Sequence, residues 1–211
     1  MDFEIEDLNN GNCEIVKYKG FNKDIIIPDK IDGLNIFSIG EFAFYNNNLT
    51  SIVLPETLQT IGNYAFGSNN LTSIVLPESL QTIGNYAFWN NNLTSIVLPD
   101  SLQTIRDYTF SDNNLTSIVL PKSLQTIGYC AFYSNNLTSI VLPESLQTIG
   151  NYAFSKNNLT LNTIYVSKTI DYNPFDVFNK KWDKINRKLI DNTLMETTKM
   201  EEDYKDLFDR N

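Results

Sequence analysis

Histidine is absent from this 211-residue sequence. That excludes Ser-His-Asp and Cys-His triads, histidine-ligated metal sites and imidazole acid–base chemistry. Cysteine is scarce. Cys13 and Cys130 are its two occurrences, too few and too distant for a disulfide framework or a zinc cluster. Glycine numbers only 9, with no phosphate-cradling loop among them. Long apolar runs are missing too. The recurrent Ile-Val-Leu stops at Pro after three residues, far short of the ~18 that a membrane span needs. Positive charge is in deficit, with 16 Lys and Arg against 25 Asp and Glu. A net charge of -9 repels nucleic acid and anionic membranes. The opening Met-Asp-Phe-Glu-Ile-Glu-Asp lacks the basic and apolar regions of a secretory leader, so an intracellular location is the expectation.

What remains is enough for a core: 42% of residues are hydrophobic and 12% aromatic. Charged residues make up only 19%, and 28 asparagines supply much of the polarity instead. Their placement is periodic. Leu-Thr-Ser-Ile-Val-Leu-Pro begins at Leu49, Leu71, Leu93, Leu115 and Leu137, each 22 residues after the last, and a frayed copy follows at Leu159. Ile-Gly recurs on the same period at Ile39, Ile61, Ile83, Ile127 and Ile149, with Ile105-Arg106 as the variant. A triplet ending in Phe comes next each time, as in Tyr64-Ala65-Phe66 and Cys130-Ala131-Phe132. Such a repeat signals a solenoid, whose coils bury their apolar side chains only by stacking.

Each unit reads in three parts. Ser-Ile-Val-Leu is β-branched and ends at a Pro that cannot donate to a ladder, so it is a short strand. Within it Leu49, Ile52 and Leu54 are expected inside, with Thr50, Ser51 and Val53 outside. Gln-Thr-Ile-Gly is a second extended piece closed by a bend. Asn-Tyr-Ala-Phe reads as a single helical or 3₁₀ turn. The paired asparagines, such as Asn69-Asn70 and Asn91-Asn92, are expected to satisfy backbone groups at a bend lacking a regular ladder. Each second Asn also opens an Asn-Leu-Thr glycosylation sequon, which here arises because Leu-Thr opens the strand.

The motifs Leu-x-x-Ile-x-Leu-Pro, Leu-x-x-Ile-Gly and Tyr-Ala-Phe resemble the leucine-rich repeats, specifically the BspA-like class. The resemblance covers about residues 24 to 166. It implies an α/β-type repeat solenoid with parallel β-strands and short helical turns, and a binding scaffold rather than an enzyme. Two features depart from the family. Asn stands ahead of the first Leu where Cys is common, and the export signal of many members is lacking.

Residues 1–38 read as an N-terminal cap with a degenerate repeat, and 39–166 as about six repeats. In 167–191 the spacing of Phe175, Phe178, Trp182, Ile185 and Leu189 predicts an amphipathic helix, a C-terminal helical cap over the last coil. Residues 192–211 are an acidic tail, helical or loosely ordered. Lys180, Lys181, Lys184, Arg187 and Lys188 form the polar face of the expected helix, a solvated face more than a nucleic-acid or acidic-partner patch.

Candidate interaction residues fall in two columns. Val53, Val75, Val97, Val119 and Val141 form an outward, uncharged strip that suits a partner or another copy of the chain. Tyr45, Trp89 and Tyr133 alternate with small residues just after the triplet and are ring-type anchors. No cofactor or metal is implied, and Cys130 reads as an inert core thiol. The functional expectation is a non-catalytic scaffold for protein–protein interaction; the alternative is a self-associating structural or surface-adhesive protein.

Overall fold

A computed structural model describes residues 2–159, 164–165, 177, 180–183 and 188–191 of the chain. Its plan is a stack of coils, one per repeat, with neighbouring coils hydrogen-bonded to one another. The first tie is the Ser-Ile-Val segment. At the ends it forms parallel strand pairs, β3 (Asp24–Ile26) with β6 (Ser51–Val53) and β11 (Ile140–Val141) with β13 (Ile164–Tyr165). In the middle coils it thins to single parallel bridges, Val75 to Val97 and Val97 to Val119. The Ile52, Ile74, Ile96, Ile118 and Ile140 side chains stack in one buried column, while Thr50, Ser51 and Val53 face solvent.

The second tie is the Thr-Ile pair before each bend. β5 (Leu34–Ile39), β7 (Thr60–Ile61) and β8 (Thr82–Ile83) pair in parallel, in strict register. β9 (Thr104–Ile105), β10 (Thr126–Ile127) and β12 (Thr148–Ile149) form a second parallel sheet. Glycine after Ile is required by this stacking. A Cβ built on Gly62, Gly84 or Gly150 would lie 2.4–2.8 Å from backbone atoms of the coil before, closer than real contacts allow.

The third tie corrects the expected helical turn. Phe42, Tyr64, Tyr86, Tyr108, Cys130 and Tyr152 all have φ between 51° and 58°, and no right-handed helix runs through such a residue. Alternate N–H groups instead donate to the next coil: Tyr64 to the Asn85 carbonyl at 2.9 Å, Phe66 to Ala87 at 2.8 Å and Ser68 to Trp89 at 2.9 Å. The N–H groups between them close turns within the coil, Gly67 to the Tyr64 carbonyl at 3.0 Å and Trp89 to the Tyr86 carbonyl at 3.1 Å. Each bulky residue at positive φ costs about 1–3 kcal/mol. Ring stacking offsets that cost, with Tyr64, Tyr86 and Tyr108 near-parallel at 4.5 Å centroid spacing.

Inside, Phe44, Phe66, Phe88, Phe110, Phe132 and Phe154 stack 5.2–5.6 Å apart along the axis. Tyr18, at the end of β2 (Asn12–Tyr18), continues the column below Phe44 at 5.5 Å. β2 pairs antiparallel with β1 (Phe3–Asp7) and parallel with β5, so this hairpin covers the first coil. At the other end Phe154 N–H donates to the Val177 carbonyl at 3.0 Å. That bond takes the place of the bond each earlier Phe makes to the Ala or, for Phe88, the Thr109 carbonyl of the next coil, and the Val177 side chain is buried in the core.

The expected C-terminal helix is also corrected. Lys180–Asp183 and Lys188–Asp191 are strands β14 and β15, paired antiparallel with Trp182 opposite Leu189. Seven residues separate that pair, which is both two helical turns and the span of a short hairpin, so the spacing alone does not discriminate. Phe175, Phe178, Ile185 and residues 192–211 lie outside the described residues.

The inner asparagine of each pair is built into the core. Asn91 Oδ1 accepts the Leu71 N–H at 3.1 Å, and its Nδ2 donates to the Phe66, Phe88 and Trp89 carbonyls at 2.9–3.3 Å. Asn69, Asn113, Asn135 and Asn157 make the same set. These amides bond backbone of their own and the preceding coil. Asn91→Ala leaves several buried backbone groups unpaired and is expected to cost about 1–3 kcal/mol. Exposed Val97→Ala is expected to stay within about 0.5 kcal/mol of wild type. Urea denaturation of the two variants checks the order.

Candidate binding surface

The outward side of the first tie is the most apolar exposed surface described. Val53, Val75, Val97, Val119 and Val141 are 56–82% exposed, and Ile26 extends the column at its start. Strand pairing and bridges hold Ile26 beside Val53, Val75 beside Val97 and Val97 beside Val119, at the ~4.8 Å spacing of neighbouring strands. Ser51, Ser73, Ser95, Ser117 and Ser139 run parallel to them, with Thr50, Thr72, Thr94, Thr116 and Thr138 beyond, all exposed. The result is a five-coil lattice of methyl and hydroxyl groups without a charge. Charge enters only at the borders. Asp24 accepts hydrogen bonds from Thr50 and Ser51 hydroxyls at 2.8 and 2.7 Å, which hold its carboxyl below the usual range. Glu56, Glu78, Asp100, Lys122 and Glu144 are exposed after each Pro.

The ring column behaves differently. Trp89 is half-buried, its indole N–H donating to Asp112 Oδ2 at 3.0 Å and its ring edge-on to Tyr86. Tyr45 is half-buried and edge-on to Phe42 and Tyr64. Tyr133 is only 5% exposed, with the Lys156 ammonium 5.2 Å above its ring. The exposure that makes such rings anchors is therefore lacking at Tyr133 and reduced at Tyr45 and Trp89. Crowding explains the alternation of large and small: a Cβ on Gly67 would already meet the Tyr45 ring at 3.2 Å. Nothing in the sequence spacing revealed Lys156 or Asp112 as the partners that draw these rings in.

With three hydrogen-bonded sides, a Leu-Ile-Phe interior and a buried Asn at the bends of the middle coils, the architecture is that of stacked leucine-rich repeats. The model of the BspA-type leucine-rich repeat region matches in six copies, over residues 37–160 and 103–202. The chain belongs to the BspA-type leucine-rich repeat family. Among solved structures it is similar to a leucine-rich cell-surface protein from Faecalibacterium prausnitzii, at a TM-score of 0.61 and 23% identity. That match covers 87% of this chain and 55% of the other, so the chain spans about half the length of that relative. The pneumococcal vaccine antigen PcpA is similar at a TM-score of 0.49 and 17% identity, covering 83% of this chain and 72% of that one. At 23% identity the likeness to the Faecalibacterium protein is one of fold. Among curated proteins none matches.

For a BspA-type repeat, the thiols are well hidden. Cys130 occupies the slot of the triplet's first ring, and Tyr129 fills the space by packing 5.3 Å from Tyr108 and 5.8 Å from Tyr152. Burial pushes the Cys130 thiol up to about 12 and the Tyr129 phenol to about 12, and it raises Tyr86 and Tyr108 as well. Cys13 is raised for the same reason. Among the described residues no group of three Cys, Asp or Glu side chains is placed to hold a metal ion. No described helix is long and apolar enough to cross a membrane.

An acid with a raised folded-state pKa favours folding while neutral. Its contribution is complete below the unfolded value and is lost as pH rises through the folded one. The cysteine and tyrosine reference values here are 9.0 and 10.0. Stability to urea is therefore expected to hold to about pH 8.5 and to fall progressively above about pH 9. At pH 8, Cys13 and Cys130 are expected to resist a thiol reagent until denaturant is added. Fast labelling of the native protein would contradict the buried placement.

Proposed function

We propose that this chain is a non-catalytic scaffold that binds another protein along the Val53–Val75–Val97–Val119–Val141 strip. The observation that carries the reading is the strip itself. Five large apolar side chains lie exposed in one line, on the outer face of the stacked coils, with hydroxyls and no charge around them. A soluble surface rarely keeps so long an apolar row unless something covers it. The family and fold support a scaffold rather than an active site. Tyr45 and Trp89 are secondary candidates at the edge of the ring column, and Tyr133 contributes through packing.

The uniformity of the strip also suits a second copy of the chain, since identical rows are self-complementary across a two-fold axis. Val97→Asp with Val119→Asp places two charges in the middle of the strip without touching the core. The double variant is expected to keep its thermal midpoint within a few degrees. A partner captured with the wild-type chain, and shown to bind it directly by titration, is expected to lose at least about tenfold in affinity. Light scattering over a concentration series separates the two readings. Mass that falls to a monomer only in the double variant identifies self-association, and unchanged affinity and mass would exclude the strip from both.

A further inference from the structure

One coil breaks the rule that glycine follows Ile. Arg106 stands where Gly62, Gly84, Gly128 and Gly150 stand in the others. At Gly84 and Gly150 an added Cβ would lie 2.4–2.5 Å from backbone of the coil before. Arg106 carries such a Cβ, so its coil has to stand off. The sheet records this. It runs β5–β7–β8 and then stops, and a new sheet begins at β9. Gly84, Gly128 and Gly150 each donate to the Ile carbonyl of the preceding coil at 2.7–2.8 Å, but among the described residues the Arg106-to-Ile83 bond is missing. The Thr-to-Gln bond at 3.1 Å, present for Thr82, Thr126 and Thr148, is missing for Thr104.

The opening is confined to this side. The same two coils stay joined elsewhere, by Phe88 N–H to the Thr109 carbonyl at 3.0 Å and by the Val75–Val97 bridge. A compensating change sits three residues on. Thr109 replaces Ala, and its hydroxyl is 2.8 Å from the Arg106 carbonyl and 3.3 Å from that of Gly84. Along the opened seam lies a cleft of about 470 Å³ lined by Gln81, Thr82, Ser101, Gln103, Thr104 and Arg106. Ser101 is committed to the Leu80 carbonyl. Asp107, the carboxylate next in sequence, accepts the Tyr129 N–H at 2.8 Å. The guanidinium and the two Gln amides are left facing solvent.

We propose that this cleft binds a small hydroxylated carboxylate of the sugar-acid class. The planar fork of Arg106 matches a carboxylate in a way a lysine does not. The Gln81 and Gln103 amides offer donors and acceptors together, which is what a ring of hydroxyls pairs with. The lining carries a single cation, and the chain's net charge of -9 repels polyanions, so a single negative charge is the best match. The site lies on a different side of the coil from the valine strip and does not depend on the strip's role.

Two variants separate the seam from the guanidinium. Arg106→Ala keeps the Cβ, so the seam is expected to stay open and ligand affinity to drop about tenfold or more. Arg106→Gly removes the obstruction, so hydrogen exchange at Thr104 N–H is expected to slow and the thermal midpoint to rise. Binding of glucuronate, glucose and acetate to the full chain is read by NMR titration up to concentrations on the order of 10 mM. Glucuronate shifting the Thr104 and Arg106 signals, with glucose and acetate much weaker, supports the assignment. Glucose equal to glucuronate would remove the guanidinium from the site, and acetate equal to it would remove the amides; either overturns the sugar-acid class. No shift with any probe overturns the site. Unchanged exchange in Arg106→Gly overturns the cause assigned to the seam.

Discussion

Everything in this molecule is governed by the spacing between coils. Backbone N–H groups donate between neighbouring coils at 2.7–3.4 Å along all three sides, and this fixes neighbouring coils about 4.8 Å apart. At that distance each residue sits on its own counterpart 22 positions away, so every position has to tolerate a copy of itself. Flat rings do so by stacking, at 4.5 Å for tyrosine and 5.2–5.6 Å for phenylalanine. Asparagine does so by bonding to backbone of its own and the preceding coil rather than to its twin. Glycine does so where any Cβ would strike the neighbouring chain. The repeated residue types are the few solutions to that one packing problem.

The same constraint explains which features were legible in the sequence. A residue that is identical in every coil has an environment made of its own copies. Its burial then follows from its chemistry, and Leu49, Ile52, Leu54 and Val53 lie on the expected sides. The Asn-Tyr-Ala-Phe segment was not legible in this way. Its composition suits a helical turn, and the preference that won, donating N–H to the next coil from residues at positive φ, exists only once coils are stacked. The burial of Tyr133, expected as a ring-type anchor, was not legible because its ring is covered in part by Lys156, a residue that occurs once in its column. Trp182 and Leu189 were misread because a separation of seven serves helix and hairpin alike.

Deviations from the repeat come as paired changes, each repairing a local disturbance. Cys130 gives up a ring, and Tyr129, where other coils mostly have Asn, returns one beside Tyr108 and Tyr152. Gly67 makes room for the Tyr45 ring. Arg106 displaces its coil, and the Thr109 hydroxyl lies within reach of the carbonyls beside the break. A lone substitution at a stacked position disturbs two interfaces at once. That is the physical reason variation within such a solenoid is coupled over short distances along the chain.

Repetition and deviation also suit different kinds of recognition. A row of equivalent valines and hydroxyls offers the same contact at every step, so its affinity grows with the length of partner it covers while its preference among partners stays weak. Discrimination needs unlike groups held at one place, and a perfectly stacked solenoid supplies none. It can supply them only where a residue refuses to stack and the energy of the remaining ties holds the coil in line. Arg106 is such a place. The loss is limited to a few hydrogen bonds on one side, because the bonds on the other two sides still fix the two coils together. The extra side chain thus leaves a cleft of defined lining at one coil junction while the stack continues on either side of it.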